Sequence, residues 1–138
     1  MSKYNSKKVE YKGFVFDSKI ECDYYQYLER NLGKGYDHIE LQPKYELQPK
    51  FENFRSINYV ADFALWKDGK LIEVIDVKGM PTPEAKIKSK IFRYQNKDIP
   101  LTWICKAPKY TGQEWITYDE LIKVRRKRKK EKMKNGKG

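Results

Sequence analysis

Residues 57–78 read INYVADFALWKDGKLIEVIDVK, and this stretch decides how the chain folds. Two apolar segments, 57–66 and 71–78, flank a turn at 67–70 whose Asp-Gly pair is typical of a tight β-hairpin. The second segment is apolar apart from Glu73, Asp76 and Lys78, as in a central strand with both faces covered. The sequence therefore predicts two adjacent antiparallel strands within one sheet.

The segments on either side of this hairpin predict the remaining elements. Upstream we expect a short hairpin over 9–16, a helix that begins after the N-cap Ser18, and an irregular or edge strand over 39–51, which contains two prolines. Downstream we expect a helix over 83–96, a buried strand over 101–105 and a last helix over 118–124. The core order of helix, strand, strand, strand, helix, strand predicts an α/β fold with a mixed central sheet flanked by helices.

Charge divides the chain into a body and a tail. The 138 residues carry 30 Lys+Arg against 19 Asp+Glu, a formal net charge of +11, and ten of the basic residues lie from Lys123 onward with a single acid. We expect one domain over 1–122, with 1–17 as an N-terminal arm, and a basic, flexible tail over 123–138. Such a tail either binds nucleic acid through its phosphates or only keeps the chain in solution.

Composition excludes several classes of protein. No apolar run approaches the length of a membrane span, and the first 20 residues contain no signal-peptide stretch. Cys22 and Cys105 lie in apolar segments, so we expect buried, reduced thiols in a cytoplasmic protein. The single histidine, His38, argues against a zinc site or a Ser-His-Asp triad.

Three charged side chains interrupt the two central strands and indicate chemistry there. Asp62 lies in the first strand, and Asp76 and Lys78 share one face of the second because strand side chains alternate. In a hairpin the two aspartates converge near one end, where they repel each other unless a cation lies between them. Oxygen ligands favour Mg²⁺, with Mn²⁺ as a substitute, and a lysine beside such a metal suits phosphodiester cleavage.

Asp62 followed by Asp76-Val77-Lys78 on the next strand resembles the signature of the PD-(D/E)XK nuclease superfamily. The resemblance covers residues 14–105, although Ala61 stands where the signature has proline. Within it, the stretch from Tyr59 to Ile104 looks most like phage-type endonuclease I Holliday-junction resolvases and related uncharacterised phage proteins. The resemblance implies a restriction-endonuclease-like αβββαβ core and a homodimer that leaves 5′-phosphate and 3′-hydroxyl ends. It also implies a location in the bacterial host cytoplasm and a metal site completed by a helical glutamate, here Glu21.

Each of these residues also has a purely structural interpretation. Glu21 lies three residues after Ser18, so its role is either in a capping box or in the metal site. Asp62 is either catalytic or a hydrogen-bonded polar group of the core. Asp76 and Lys78 could form only an ion pair, although a buried pair contributes little net stability. For Gln42, a hydrogen bond at a strand end is favoured over contact with the site.

Basic residues on the helix after Gly79 are placed to follow a phosphate backbone. We expect a DNA-binding surface made of the helical stripe and the tail, namely Lys86, Lys88, Lys90, Arg93, Lys97, Arg125, Arg126 and Arg128. An ordinary solvated helix face is the structural alternative.

The resulting hypothesis is a Mg²⁺-dependent DNA endonuclease that acts on branched DNA during phage recombination or replication. Its expected catalytic residues are Asp62, Asp76, Lys78 and Glu21, of which the three acids ligate the metal. The alternatives are a PD-(D/E)XK nuclease of the restriction, repair or transposition type, and a DNA-binding accessory protein without turnover.

Overall fold

The computed structural model describes residues 7–77 and 80–135. The helices are α1 (Lys19–Arg30), α2 (Pro83–Gln95) and α3 (Tyr118–Asn135), with one 3₁₀ turn at Lys109–Thr111. The strands are β1 (Val9–Tyr11), β2 (Phe14–Phe16), β3 (His38–Leu41), β4 (Lys44–Gln48), β5 (Ile57–Val60), β6 (Phe63–Lys67), β7 (Lys70–Val77), β8 (Leu101–Lys106) and β9 (Trp115–Thr117).

A mixed five-stranded sheet forms the centre of the molecule. Its strand order is β3-β6-β7-β8-β9, with β7 and β8 parallel and the other pairs antiparallel. The parallel pair follows from the crossover through α2, which returns the chain to the same end of the sheet. The predicted α/β architecture and the central position of the 71–78 strand are confirmed.

Alternation along β7 sends its side chains into two separate cores. Ile75 and Val77 pack with α1 residues such as Tyr24 and Leu28 on one face of the sheet. Val74 packs with Phe92 of α2 on the other face. The sheet is therefore covered by a helix on each side, while α3 packs at the β8–β9 edge through Leu121.

The predicted strand over 57–66 is wrong as a single element, because the chain bends at Ala61-Asp62. The partner segment bends at Gln42-Pro43, directly opposite, and the two bends are joined by Gln42 N–H to Asp62 O at 2.9 Å and Ala61 N–H to Pro43 O at 3.0 Å. Proline cannot donate to the ladder, so regular pairing stops there. Residues 38–48 and 57–67 thus form one bent antiparallel ribbon, with β3 and β6 in the sheet and β4 and β5 beyond it as an arm.

Local sequence signals explain the turns and helix starts. Lys12-Gly13 and Asp68-Gly69 connect their strands with positive φ at both residues, at 51° and 84° and at 50° and 74°. This conformation matches the right-handed twist of a hairpin. Ser18 caps α1, as predicted, and Thr82 caps α2 ahead of Pro83.

The C-terminal helix differs from its predicted extent. The sequence places its end near Val124, but α3 continues to Asn135, so the basic segment expected as a flexible tail is helical over its described part. Lysine and arginine are good helix formers, and the segment lacks proline and glycine up to Gly136. β9 was not predicted, because a three-residue strand carries too little periodicity to be recognised.

Two further expectations concern the thiols and the membrane. Cys22 and Cys105 are buried and form no disulfide, as expected. Within the described ranges, no helix combines the length and apolar character needed to cross a bilayer.

Candidate functional site

The two central aspartates meet where β6 and β7 pair. Phe63 lies opposite Ile75, so Asp62 and Asp76 occupy the next position along the ladder. The Asp62 backbone N–H donates to Asp76 Oδ1 at 3.0 Å, and Asp62 Oδ2 accepts from the Val77 N–H at 2.7 Å. The prediction that the two aspartates lie on neighbouring strands at one end is confirmed.

Asp76 is a buried carboxylate, with 1% of its surface exposed. Its Oδ2 accepts a hydrogen bond from the Tyr59 hydroxyl, which reaches it from β5 of the arm. Burial raises the pKa of Tyr59, and the charge of Asp76 raises it further, so the phenol remains a donor. Protein donors therefore hold the Asp76 carboxylate in a fixed orientation.

A cleft of about 200 Å³ opens beside this pair. Its polar wall consists of Glu21, Gln42 and Asp62, and its apolar wall comes from the β2 strand with Leu41 and Phe63. Asp76, which the sequence analysis expected as a third metal ligand, does not line this cleft. The cleft thus presents two carboxylates, one from α1 and one from the bend of the ribbon.

Glu21 takes part in both of the arrangements that the sequence allowed. Its backbone N–H donates to the Ser18 hydroxyl at 3.3 Å, which is one half of a capping box. Its side chain also reaches the cleft. Burial raises the pKa of the Glu21 carboxyl, and the charges of Asp17 and then Asp76 raise it further. An excess of negative charge at this point is the property that a bound cation relieves.

Gln42 lies closer to the site than the sequence suggested. Its backbone makes the expected strand-end hydrogen bond to Asp62, while its side chain amide donates to Asp17 Oδ2 at 3.5 Å. Its φ of 49° is in the left-handed region, which a residue with a side chain adopts rarely. This unfavourable conformation occurs at the bend that brings Asp62 into the cleft.

The residues present fit a magnesium ion better than a zinc ion. Over 7–77 and 80–135, no three His, Cys, Asp or Glu side chains group closely enough to enclose a metal. Mg²⁺ does not require such an enclosure, because it keeps several waters and is held by one or two carboxylates together with substrate phosphate. Glu21 and Asp62 line one cleft and are the residues that would hold such an ion.

The remaining predicted catalytic residue, Lys78, lies outside the residues that the structure describes. Its proposed place on the Asp76 face of β7 stays a prediction.

Some of the predicted DNA-binding residues are freely exposed, and others contact neighbouring residues of the fold. Lys86 and Lys90 are exposed on α2 and Lys97 is exposed just beyond its end, whereas the Lys88 ammonium lies 3.8 Å from the Glu84 carboxylate. The Arg93 guanidinium donates to the Leu101 carbonyl at 3.0 Å and lies 5.3 Å from the Trp103 ring, so it also supports packing. The α3 members are exposed, and Arg128 lies 3.8 Å from the Tyr110 ring.

Tyr59 is the site residue that the sequence analysis missed. Its position in an apolar strand makes it resemble an ordinary core aromatic. The available signal is its hydroxyl, because a buried phenol requires a partner and Asp76 on the nearby strand is a suitable acceptor.

Fold and site together define an α/β domain in which Asp62 and Asp76 are linked through backbone hydrogen bonds beside a cleft that two carboxylates line. The chain belongs to the family described as "Protein of unknown function (DUF1064)", whose model matches residues 1–112. Neither the curated proteins nor the solved structures include a match. The matched region ends before β9 and α3, so the basic helix lies beyond it.

Proposed function

We propose that this protein is a Mg²⁺-dependent DNA endonuclease with its active site in the cleft of Glu21 and Asp62. The observation that carries the proposal is the contact between Asp62 and Asp76, in which Asp76 Oδ1 accepts the Asp62 N–H at 3.0 Å. Two acidic side chains at one end of a largely apolar strand pair cost free energy in a purely structural role. A function that uses negative charge accounts for keeping them.

The chain's own residues would divide the work of hydrolysis. Glu21 and Asp62 offer carboxylate oxygens in the cleft, and Asp76 supports Asp62 through the backbone while Tyr59 holds Asp76. When bound, the metal would supply charge stabilisation to the scissile phosphate and lower the pKa of a coordinated water. Lys78 is proposed to offset charge on the phosphoryl oxygens.

The fold supports a finer proposal, that the core is of the restriction-endonuclease type. With the β4–β5 arm left aside, the elements α1, β3, β6, β7, α2 and β8 follow the order of helix, strand, strand, strand, helix, strand. With that core we propose branched DNA as substrate and a homodimer as the active form, because a junction requires cuts in two opposed strands. Involvement in phage recombination or replication is part of the same proposal.

Two alternatives make different use of the same residues. A PD-(D/E)XK nuclease of the restriction, repair or transposition type would cut linear duplex DNA with the same metal requirement. An accessory protein would bind DNA through its basic helices and would not turn over. The paired aspartates favour an enzyme, because carboxylates close to DNA weaken simple binding.

The test is cleavage of labelled four-way junction, linear duplex and single-stranded DNA by the full chain, with Mg²⁺, with Mn²⁺ and with EDTA. The proposal predicts metal-dependent cutting of the junction with 5′-phosphate ends. Cutting confined to linear duplex would replace the branched substrate with the first alternative. Tight, salt-sensitive binding without cutting in either metal would contradict the nuclease.

A further inference from the structure

Two phenylalanines stand exposed at the tip of the β4–β5 arm. Phe51 and Phe54 flank the turn Glu52-Asn53, and their backbones exchange hydrogen bonds of 3.2 and 2.8 Å. Their rings stack with centroids 5.0 Å apart and planes at 28°. They are 47% and 56% exposed. The tip therefore presents a paired aromatic surface on a hydrogen-bonded hairpin end.

Neither ring belongs to a described core of the molecule. The arm contributes Leu47 and Tyr59 to the core beside α2, whereas Phe51 and Phe54 project beyond it. Ile57 and Val60 of the same arm are also exposed, at 39% and 55%. Two stacked aromatic rings exposed together on an otherwise polar chain mark a surface that meets a partner.

The charges around the tip identify the partner's chemistry. Exposed Lys50 and Arg55 flank the two rings directly in sequence, and exposed Glu52 in the turn leaves the segment with a net positive charge. The arm also packs on α2, which carries exposed Lys86 and Lys90. Cations favour a negatively charged ligand, and exposed aromatic rings favour a ligand with flat rings that can stack on them. Single-stranded nucleic acid has both properties.

We infer that the Phe51–Phe54 tip stacks on unpaired nucleobases of the nucleic acid substrate. This inference rests on the proposed function and extends it, because it names unstacked bases at a branch or gap as the feature that is recognised. Every base offers a π-face, so the contact is tolerant of sequence while it discriminates against fully paired duplex.

Chain length places the tip within reach of the candidate active site. Phe54 lies five residues from Tyr59, so their Cα atoms are at most about 18 Å apart, and the Tyr59 side chain extends from there to Asp76. One bound nucleic acid can therefore contact both the tip and the candidate active site. The inference predicts contact with an unpaired base near the cut.

The experiment uses the double variant Phe51→Ala/Phe54→Ala with Leu32→Ala as a matched control. Leu32 is 51% exposed and lies after α1, away from the arm. Binding is measured in EDTA to a single strand, to a four-way junction and to linear duplex, each carrying 2-aminopurine. We expect the double variant to bind the single strand about tenfold more weakly and to lose the fluorescence change, with duplex affinity unchanged.

A second variant keeps the result interpretable if the double variant folds poorly. Phe54→Trp retains an aromatic face, and we expect it to keep wild-type affinity and to show tryptophan quenching by the single strand. Equal single-strand affinity of wild type and double variant would overturn the inference. So would sedimentation showing that the double variant only converts a dimer into a monomer, because the tip would then contact a second copy of the chain.

These outcomes are separable from failure of the proposed function. A wild-type protein that cuts DNA while the double variant binds and cuts equally well contradicts the tip alone. A wild-type protein that quenches 2-aminopurine through the tip but never cuts DNA contradicts the nuclease alone.

Discussion

At the scale of single residues, the site depends on how a buried charge is held. Asp76 is almost completely enclosed, and its described donors are the Tyr59 hydroxyl and the Asp62 backbone. A buried carboxylate is tolerated only while it is hydrogen bonded. The orientation of Asp62 at the cleft thus depends on a phenol from the arm as well as on the two central strands.

Tyr59→Phe tests this dependence. Loss of the hydroxyl leaves one Asp76 oxygen without its phenolic donor, so we expect the free energy of unfolding to fall by about 2 kcal/mol. Tyr45→Phe is the matched control, because Tyr45 packs on the same Phe92 ring and its buried hydroxyl has no hydrogen-bond partner within 7–77 and 80–135. Urea denaturation should show Tyr45→Phe unchanged or stabilised, and equal losses in both variants would contradict the role of Tyr59.

Glu21→Gln tests the excess of negative charge in the cleft. Burial and neighbouring acids raise the pKa of Glu21 in the fold, so the folded state prefers the protonated carboxyl. This preference stabilises the folded state fully at pH values below 4.5, the ordinary pKa of a glutamate carboxyl. The stabilisation is lost as pH rises through the raised pKa of the folded state. Without metal, we therefore expect Glu21→Gln to melt at a higher temperature than wild type at pH 7 but not near pH 4.

The control for this measurement is Glu10→Gln, which alters an exposed acid on β1. We expect its melting temperature to follow wild type at both pH values. A Glu21→Gln protein less stable than wild type at pH 7 would show that the capping contribution of Glu21 outweighs the charge excess.

At the scale of elements, the sequence predicts the helices, strands and turns that nearby residues determine. Capping by Ser18, the glycine turns and the apolar run of β7 identify α1, both hairpins and the central strand. The bend at Ala61-Asp62 is not predictable in this way, because it arises from the opposing Gln42-Pro43 in another strand. Likewise, Asp62 and Asp76 are recognisable in the sequence because they interrupt apolar strands. The contact of Tyr59 with Asp76 is not predictable, because it depends on how the arm packs against the central strands.

The basic part of α3 is the element whose function is most directly testable. Arg125→Gln/Arg126→Gln/Arg128→Gln removes three exposed charges and retains good helix formers. Counterion release predicts that the slope of log K against log salt for duplex DNA becomes shallower by up to about 2.7, at roughly 0.9 for each lost phosphate contact.

The matched control removes the same charge from exposed positions elsewhere, as Lys7→Gln/Lys8→Gln/Lys34→Gln. We expect this variant to retain nearly the full salt slope. Equal slopes for wild type and the α3 variant would show that the helix serves solubility rather than DNA binding.

At the scale of the whole molecule, a net positive chain contains a local acidic cleft. The net charge is +11, with exposed cations on α2 and α3, while Glu21 and Asp62 line one cleft and the buried Asp76 lies beside Asp62. A positive surface attracts DNA, and a local acidic cleft repels it unless a cation is bound. The distribution accordingly suits an enzyme whose substrate and metal bind together.

The most direct test of this account compares Asp76→Asn with Asp98→Asn, which changes an exposed aspartate beyond α2. Asparagine can retain the acceptor for the Asp62 N–H, so the fold should persist. It removes the charge of Asp76, which contributes to raising the pKa of Glu21, and so weakens the attraction of the cleft for a cation. Junction cleavage with Mg²⁺ and junction binding in EDTA are measured on the same samples. The account predicts that Asp76→Asn loses cleavage while binding as tightly as wild type or more tightly, and that Asp98→Asn behaves as wild type. Undiminished cleavage by a folded Asp76→Asn protein would contradict it.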